Sequence, residues 1–185
     1  KRCFFVRPRI KICGVLSRAD LDVVVQAGAD AVGFLVGQRA RSADFIDAQA
    51  ARRLNRRLPP FVTGVLTTHY NRFDDVRSLV LATGLGAVQL HGGMPKGDLE
   101  RLRNEVLPTG TILLVRHVTD AVCDIEDELL TLADGVVLDS CEPETGRIGG
   151  TGRVHDWQVS ARFVRRCPLP VVLAGGLTPG NVGEA

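Results

Sequence analysis

The chain has 185 residues, 45% of them hydrophobic, and a formal net charge of +2. That is the make-up of one globular domain with a sizeable core, and a charge so small excludes nucleic-acid binding driven by bulk electrostatics. No apolar run approaches the ~18–20 residues of a membrane span.

The opening residues 1–6 are basic and apolar but too short for the core of a signal peptide. Residues 9–12 form a short apolar run that reads as a buried parallel strand and delivers Cys13-Gly14 at its end. Ser17-Arg18-Ala19-Asp20 then opens a helix as a capping box with Asp in place of Glu. Its apolar positions run through Leu21, Val24 and Val25 to a stop at Gly28. The same unit of strand, loop and amphipathic helix recurs to the end of the chain. Strands are expected at 31–36, 62–66, 87–90, 112–115, 135–138 and 171–173, and helices at 48–57, 73–82, 98–105, 125–132, 159–166 and from Asn181 onward. Arg52, Arg53, Arg56 and Arg57 fall on the outer face of one such helix, so they read as a solvated surface.

Seven βα units at a spacing of roughly 20–30 residues indicate an α/β fold, a TIM (β/α)8 barrel. It is expected as a single domain over 1–185 whose eighth βα unit is missing from the sequence as given. The rival is a doubly wound open sheet, against which no strand is followed by GxGxxG.

In a barrel, residues at the C-terminal ends of strands face the active-site mouth. Cys13 ends the first strand and Asp139 the sixth, which would set a thiol base opposite a carboxyl acid. The bland readings are a buried small apolar group for Cys13 and a cap or ion-pair partner for Asp139. Lys11 lies two residues before the thiol, and the sequence leaves open whether it faces the same side. Gln89 and His91 end the fourth strand. Gly149-Gly150-Thr151-Gly152 and Gly175-Gly176 are glycine loops whose amides suit an anion, or simply tight turns. The cysteines at 3, 13, 123, 141 and 167 are odd in number and contain no CxxC pair. This argues against a disulfide framework or a zinc site and fits a reducing cytoplasm. Cys123 and Cys167 are expected to pack on helices, and Cys141 to lie in a loop at the mouth.

Six stretches together carry a resemblance. They are Lys11-Ile12-Cys13-Gly14, residues 28–34, Val88-Gln89-Leu90-His91-Gly92, Leu138-Asp139-Ser140, Gly149-Gly150-Thr151-Gly152 with Asp156-Trp157, and residues 173–179 with Asn181-Val182. In this order the chain resembles the phosphoribosylanthranilate isomerase family of tryptophan biosynthesis. The resemblance implies an Amadori rearrangement without metal or organic cofactor, on a small-molecule phosphoribosyl substrate, in the cytoplasm. It implies Cys13 as base and Asp139 as acid, Gln89 and His91 as pocket residues, and Gly150, Gly152, Gly175 and Gly176 as phosphate-binding. The family's Ser-Pro-Arg-Tyr-Val after the second strand, whose arginine is thought to hold the anthranilate carboxylate, is here Ser42-Ala43-Asp44-Phe45-Ile46. Asp44 inverts that charge, and Arg39 or Arg41 would have to replace it. The third strand departs as well, ending in Thr67-Thr68-His69-Tyr70. The alternatives are an isomerase of a related phosphoribosyl amine with another aglycone, and a barrel that binds a phosphoribosyl ligand or a protein without turnover.

Overall fold

Alternation along short apolar strands decides which side chains meet the helices and which meet each other. The computed structural model describes residues 7–38, 43–118, 127–142, 147–148 and 154–185. In chain order these form β1 (Lys11–Cys13), α1 (Arg18–Gln26), β2 (Ala31–Leu35), α2 (Ala48–Asn55), β3 (Thr63–Thr68), α3 (Phe73–Thr83) and β4 (Ala87–Leu90). Then come α4 (Lys96–Arg101) with a π-helical turn (Leu102–Val106), β5 (Thr111–Val118), α5 (Asp127–Leu130), β6 (Gly135–Glu142), β7 (Arg147–Ile148), α6 (Trp157–Arg166) and β8 (Val171–Leu173).

Seven strands run parallel in the order β1-β2-β3-β4-β5-β6-β8, curled into part of a barrel. The small β7, which the sequence pattern does not announce, pairs antiparallel with the end of β6. The capping box forms as read: Ser17 Oγ accepts from the Asp20 N–H at 3.1 Å, and the Asp20 carboxylate accepts from the Ser17 N–H at 2.9 Å. The four arginines of α2 and the turn after it are exposed.

The helix expected from Asn181 is replaced by turns. The Asn181 side chain explains this: its Oδ1 accepts from the Thr178 N–H at 2.7 Å and its Nδ2 donates to the Gly176 carbonyl at 3.0 Å. It thus ties itself back to the loop before it, between glycines at 180 and 183 that weaken helix formation.

Val32 and Phe34 on β2, Leu66 on β3, Val88 and Leu90 on β4 and Ile112 on β5 pack with Leu21, Leu54, Val76, Leu99 and Leu102 of the helices. Each fully buried side chain of this size contributes ~1.5–3 kcal/mol. The alternate residues therefore line the inside of the curl. Register pairs Cys13 with Gly33, Leu35 with Thr67, Thr67 with Gln89, Gln89 with Leu113, and His117 with Asp139. At the opposite, N-terminal rim the same device occurs twice. Asp30 accepts the Ile10 N–H and Asp134 accepts the Ile112 N–H, both at 2.8 Å, each tying the start of one strand to the loop before its neighbour.

Candidate active site

The inner face turns polar at the C-terminal ends of the strands. β1 contributes Lys11 and Cys13, β3 Thr67, β4 Gln89 with His91 just beyond it, β5 His117 and β6 Asp139. Residues two apart on a strand share a face, so Lys11 and Cys13 lie side by side, and the Lys11 ammonium donates to the Cys13 sulfur. Opposite them stands Gly33, where a Cβ would lie 2.5 Å from Cys13 Sγ and 3.1 Å from Lys11 Nζ. Only a glycine leaves the pair its space. Cys13 stands outside the packed apolar clusters. Gly14, at φ +80°, turns the chain away and brings the next segment to Asp44, whose Cβ would be 3.6 Å from a Cβ placed at Gly14.

Asp139 is on the far wall and only 7% exposed. Burial pushes its carboxyl above the usual range, against the opposing pull of His117, the Ser140 N–H and Lys11. His91 is held neutral, its pKa lowered to about 3 by burial first and then by His69, His117 and Lys11. Gln89 Nε2 lies 2.6 Å from His91 Nε2. With the ring neutral, the amide donates to Nε2 and the ring proton is left on Nδ1, 4.0 Å from Asp139 Oδ2. His69 stacks edge-on against His91 at 5.3 Å, and His117 lies tilted at 6.1 Å. Thr67 Oγ1, Gln89 Oε1, His91 Nδ1 and His117 Nδ1 are buried with no hydrogen-bond partner among the described residues. Buried polar atoms of this kind are normally satisfied, so the wall is suited to the hydroxyls of a ligand.

Of the residues singled out in the sequence, Cys13, Asp139, Gln89, His91 and Asp44 thus come to the same mouth. Gly175 and Gly176 lie just after β8 with φ of +86° and +64°. Gly175 is pressed on β6, where a Cβ would be 2.5 Å from the Ser140 backbone nitrogen. Arg39, Arg41, Gly150, Gly152, Cys3 and Cys123 lie outside the described residues. Cys167 packs beside α6, as expected. Sequence reasoning missed His117 as a member of the wall. The alternation Leu113, Val115, His117 along β5 was the available signal, matched by Val137 and Asp139 on β6.

The family model for N-(5'phosphoribosyl)anthranilate (PRA) isomerase matches residues 10–185. The chain belongs to this family. It is 37% identical over 178 residues to N-(5'-phosphoribosyl)anthranilate isomerase 2 of Methanosarcina mazei, covering 96% of this chain and 78% of that one. With the isomerase of Natronomonas pharaonis identity is 41% over 177 residues, covering 96% and 81%. Among solved structures, the phosphoribosyl anthranilate isomerase from Thermus thermophilus superposes with a TM-score of 0.77 at 27% identity, covering 96% of this chain and 81% of that one. Another isomerase of the family, in complex with reduced 1-(o-carboxyphenylamino)-1-deoxyribulose 5-phosphate, gives a TM-score of 0.72 at 27% identity, with 96% and 80% coverage. These relatives confirm the barrel expected from the repeat of βα units. Among the described residues no helix is long and apolar enough to cross a membrane.

Proposed function

We propose that the protein is a phosphoribosylanthranilate isomerase, converting N-(5'-phosphoribosyl)anthranilate to the aminoketose by acid–base catalysis. The observation that carries this is the pairing of two unlike proton carriers on opposite walls of one mouth. A thiol in contact with an ammonium ends β1, and a buried carboxyl ends β6.

In this reading Asp139 gives its proton to the furanose ring oxygen, the C1′–O bond breaks, and a protonated Schiff base forms at C1′. Cys13, as the base, then removes the C2′ proton, and the electron pair moves to neutralise the iminium nitrogen. Protonation at C1′ and loss of the enol proton complete the aminoketose. C2′ is oxidised as C1′ is reduced, so the redox balance is internal to the substrate. The desolvation that raises the Asp139 carboxyl favours its protonated form, the form that can act as the acid. Neutral His91 beside it adds no charge that would favour ionisation. Gln89 and His91 face the sugar, Asp44 borders the aglycone, and the amides of Gly175 and Gly176 form part of a phosphate site, as backbone N–H groups do elsewhere. Gly150, Gly152 and Arg41 are assigned to the phosphate and the aglycone by the family resemblance alone.

The test is direct conversion. Purified protein is incubated with N-(5'-phosphoribosyl)anthranilate and the sugar followed by NMR. Appearance of the aminoketose at a rate proportional to enzyme concentration is expected. Unchanged substrate with native, folded protein would refute the reading.

A further inference from the structure

Behind the acid, on the side of β6 away from the mouth, three polar side chains join in a line that the reaction itself does not use. We propose that His155 is a positioning residue: it clamps Ser140, and with it the part of β6 that presents Asp139, to the first turns of α6. The proposal deepens the isomerase reading and rests on it for the role of Asp139.

Alternation puts Asp139 inside the curl and Val136, Leu138 and Ser140 on the outer face of β6. Val136 and Leu138 meet Val159 and Phe163 of α6 in an apolar cluster. At Ser140 the contact turns polar. Ser140 Oγ lies 2.9 Å from His155 Nδ1, and His155 Nε2 lies 2.6 Å from Ser160 Oγ. Both serines are buried. His155 directly precedes Asp156, the N-cap of α6, and Ser160 is the fourth helical residue. Those two positions are where an apolar pair commonly staples the incoming chain to its helix. Two apolar side chains would serve that end without burying polar groups. The histidine adds a second nitrogen, and that nitrogen reaches β6. Burial holds the ring below its ordinary pKa, against the opposing pull of Asp156. A neutral ring donates through one nitrogen and accepts through the other, and a serine hydroxyl can meet either. Ser140 is held from another side as well. A Cβ at Gly175, just after β8, would collide with the Ser140 hydroxyl and backbone nitrogen. The neighbouring Ala174 N–H donates to the Leu138 carbonyl at 2.7 Å. Ser140 therefore sits between the entry to α6 and the loop after β8, and its own N–H acts on the Asp139 carboxyl. Any shift of Ser140 carries the acid with it.

The two ends of the histidine can be cut separately. Asn places a polar atom near the ring Nδ1 and keeps the Ser140 contact, whereas Gln reaches the Nε2 position and keeps the Ser160 contact. Wild type, His155→Asn and His155→Gln are compared by kcat and KM on N-(5'-phosphoribosyl)anthranilate, by melting temperature, and by amide hydrogen exchange. In His155→Gln kcat falls by ~10-fold or more while KM changes little, and the amides at 138–140 exchange ~10-fold faster. His155→Asn stays within about threefold of wild type in both readouts. A staple that served only the helix would give the reverse order, because Gln keeps the tie within α6 and Asn loses it. Ser140→Ala and Ser160→Ala repeat the comparison if a substitution at 155 fails to fold, and only the first should lower kcat. Equal kcat in the Asn and Gln variants, or kcat that tracks melting temperature across all four, overturns the proposal. Faster exchange at 138–140 in His155→Gln, when wild type fails to convert N-(5'-phosphoribosyl)anthranilate, upholds the clamp and refutes the isomerase reading instead.

Discussion

The two walls of the mouth surround their reactive groups differently. On the β4–β6 wall the carboxyl of Asp139 is nearly enclosed, beside a histidine held neutral and an amide that orients it. Desolvation does the work there, and it favours the protonated acid. On the β1–β2 wall the Lys11 ammonium donates to the Cys13 sulfur, and Gly33 of the neighbouring strand stands in register beside them. The carboxyl is thus set among buried polar groups from three strands, and the thiol beside one cation of its own strand.

Asp139→Asn should sharpen this contrast most. It is expected to lower kcat by about 10²–10⁴, the usual worth of a positioned acid. Its effect on stability has the opposite sign. A carboxyl whose pKa is raised on folding contributes stability that is full below its unfolded value and is lost as pH rises through the folded value. Removing that titration should raise the melting temperature at neutral pH, with the difference closing on acidification towards the ordinary carboxyl range. Thermal scans of both proteins across pH check this. A melting temperature that falls equally at all pH values would mean that Asp139 is structural.

A smaller effect is expected at the edge of the thiol wall. Asp44 lies beside Gly14, where a substrate carboxylate would meet repulsion. Asp44→Arg should raise kcat/KM for N-(5'-phosphoribosyl)anthranilate by ~10-fold, since a charge-assisted hydrogen bond contributes roughly 1.5–3 kcal/mol. Steady-state kinetics showing no change would move the aglycone away from this residue.

The smallest effect concerns stability alone. His91 is lowered from 6.5 to about 3, so its share of stability is present above 6.5 and drains away as pH falls towards 3. In His91→Gln the loss of melting temperature over that window should be shallower than in wild type. Parallel curves would show that the imidazole is not held neutral by burial.

Much of this was readable from the residues, for reasons that differ by element. β4 and β8 fall at the expected 87–90 and 171–173, because each is a short apolar run set off by glycine or proline. Cys13 and Asp139 were readable because reactive side chains at the ends of such runs have few structural reasons to be there. His117 was not. Its strand was expected to end with the apolar run at Val115, but pairing with Leu138 and Asp139 carries it on to Val118. Likewise the π-helical turn after α4 leaves no mark in the local pattern. Arg103, within that turn, anchors it to its surroundings, donating to the carbonyls of Leu107, Gly110 and Leu132 and to the Asp134 carboxylate. Register and long-range polar contacts of this kind are decided by neighbours in space, and a window of sequence does not contain them.

The central claim, that the thiol on β1 is the base, is tested most directly by the kcat of Cys13→Ala on N-(5'-phosphoribosyl)anthranilate. Because Cys13 lies outside the packed clusters, its loss should leave the melting temperature unchanged, so a change in turnover reports chemistry. The account predicts a fall of about 10²–10⁴ with the fold intact. Turnover equal to wild type would contradict it and assign the carbon-bound proton to another group.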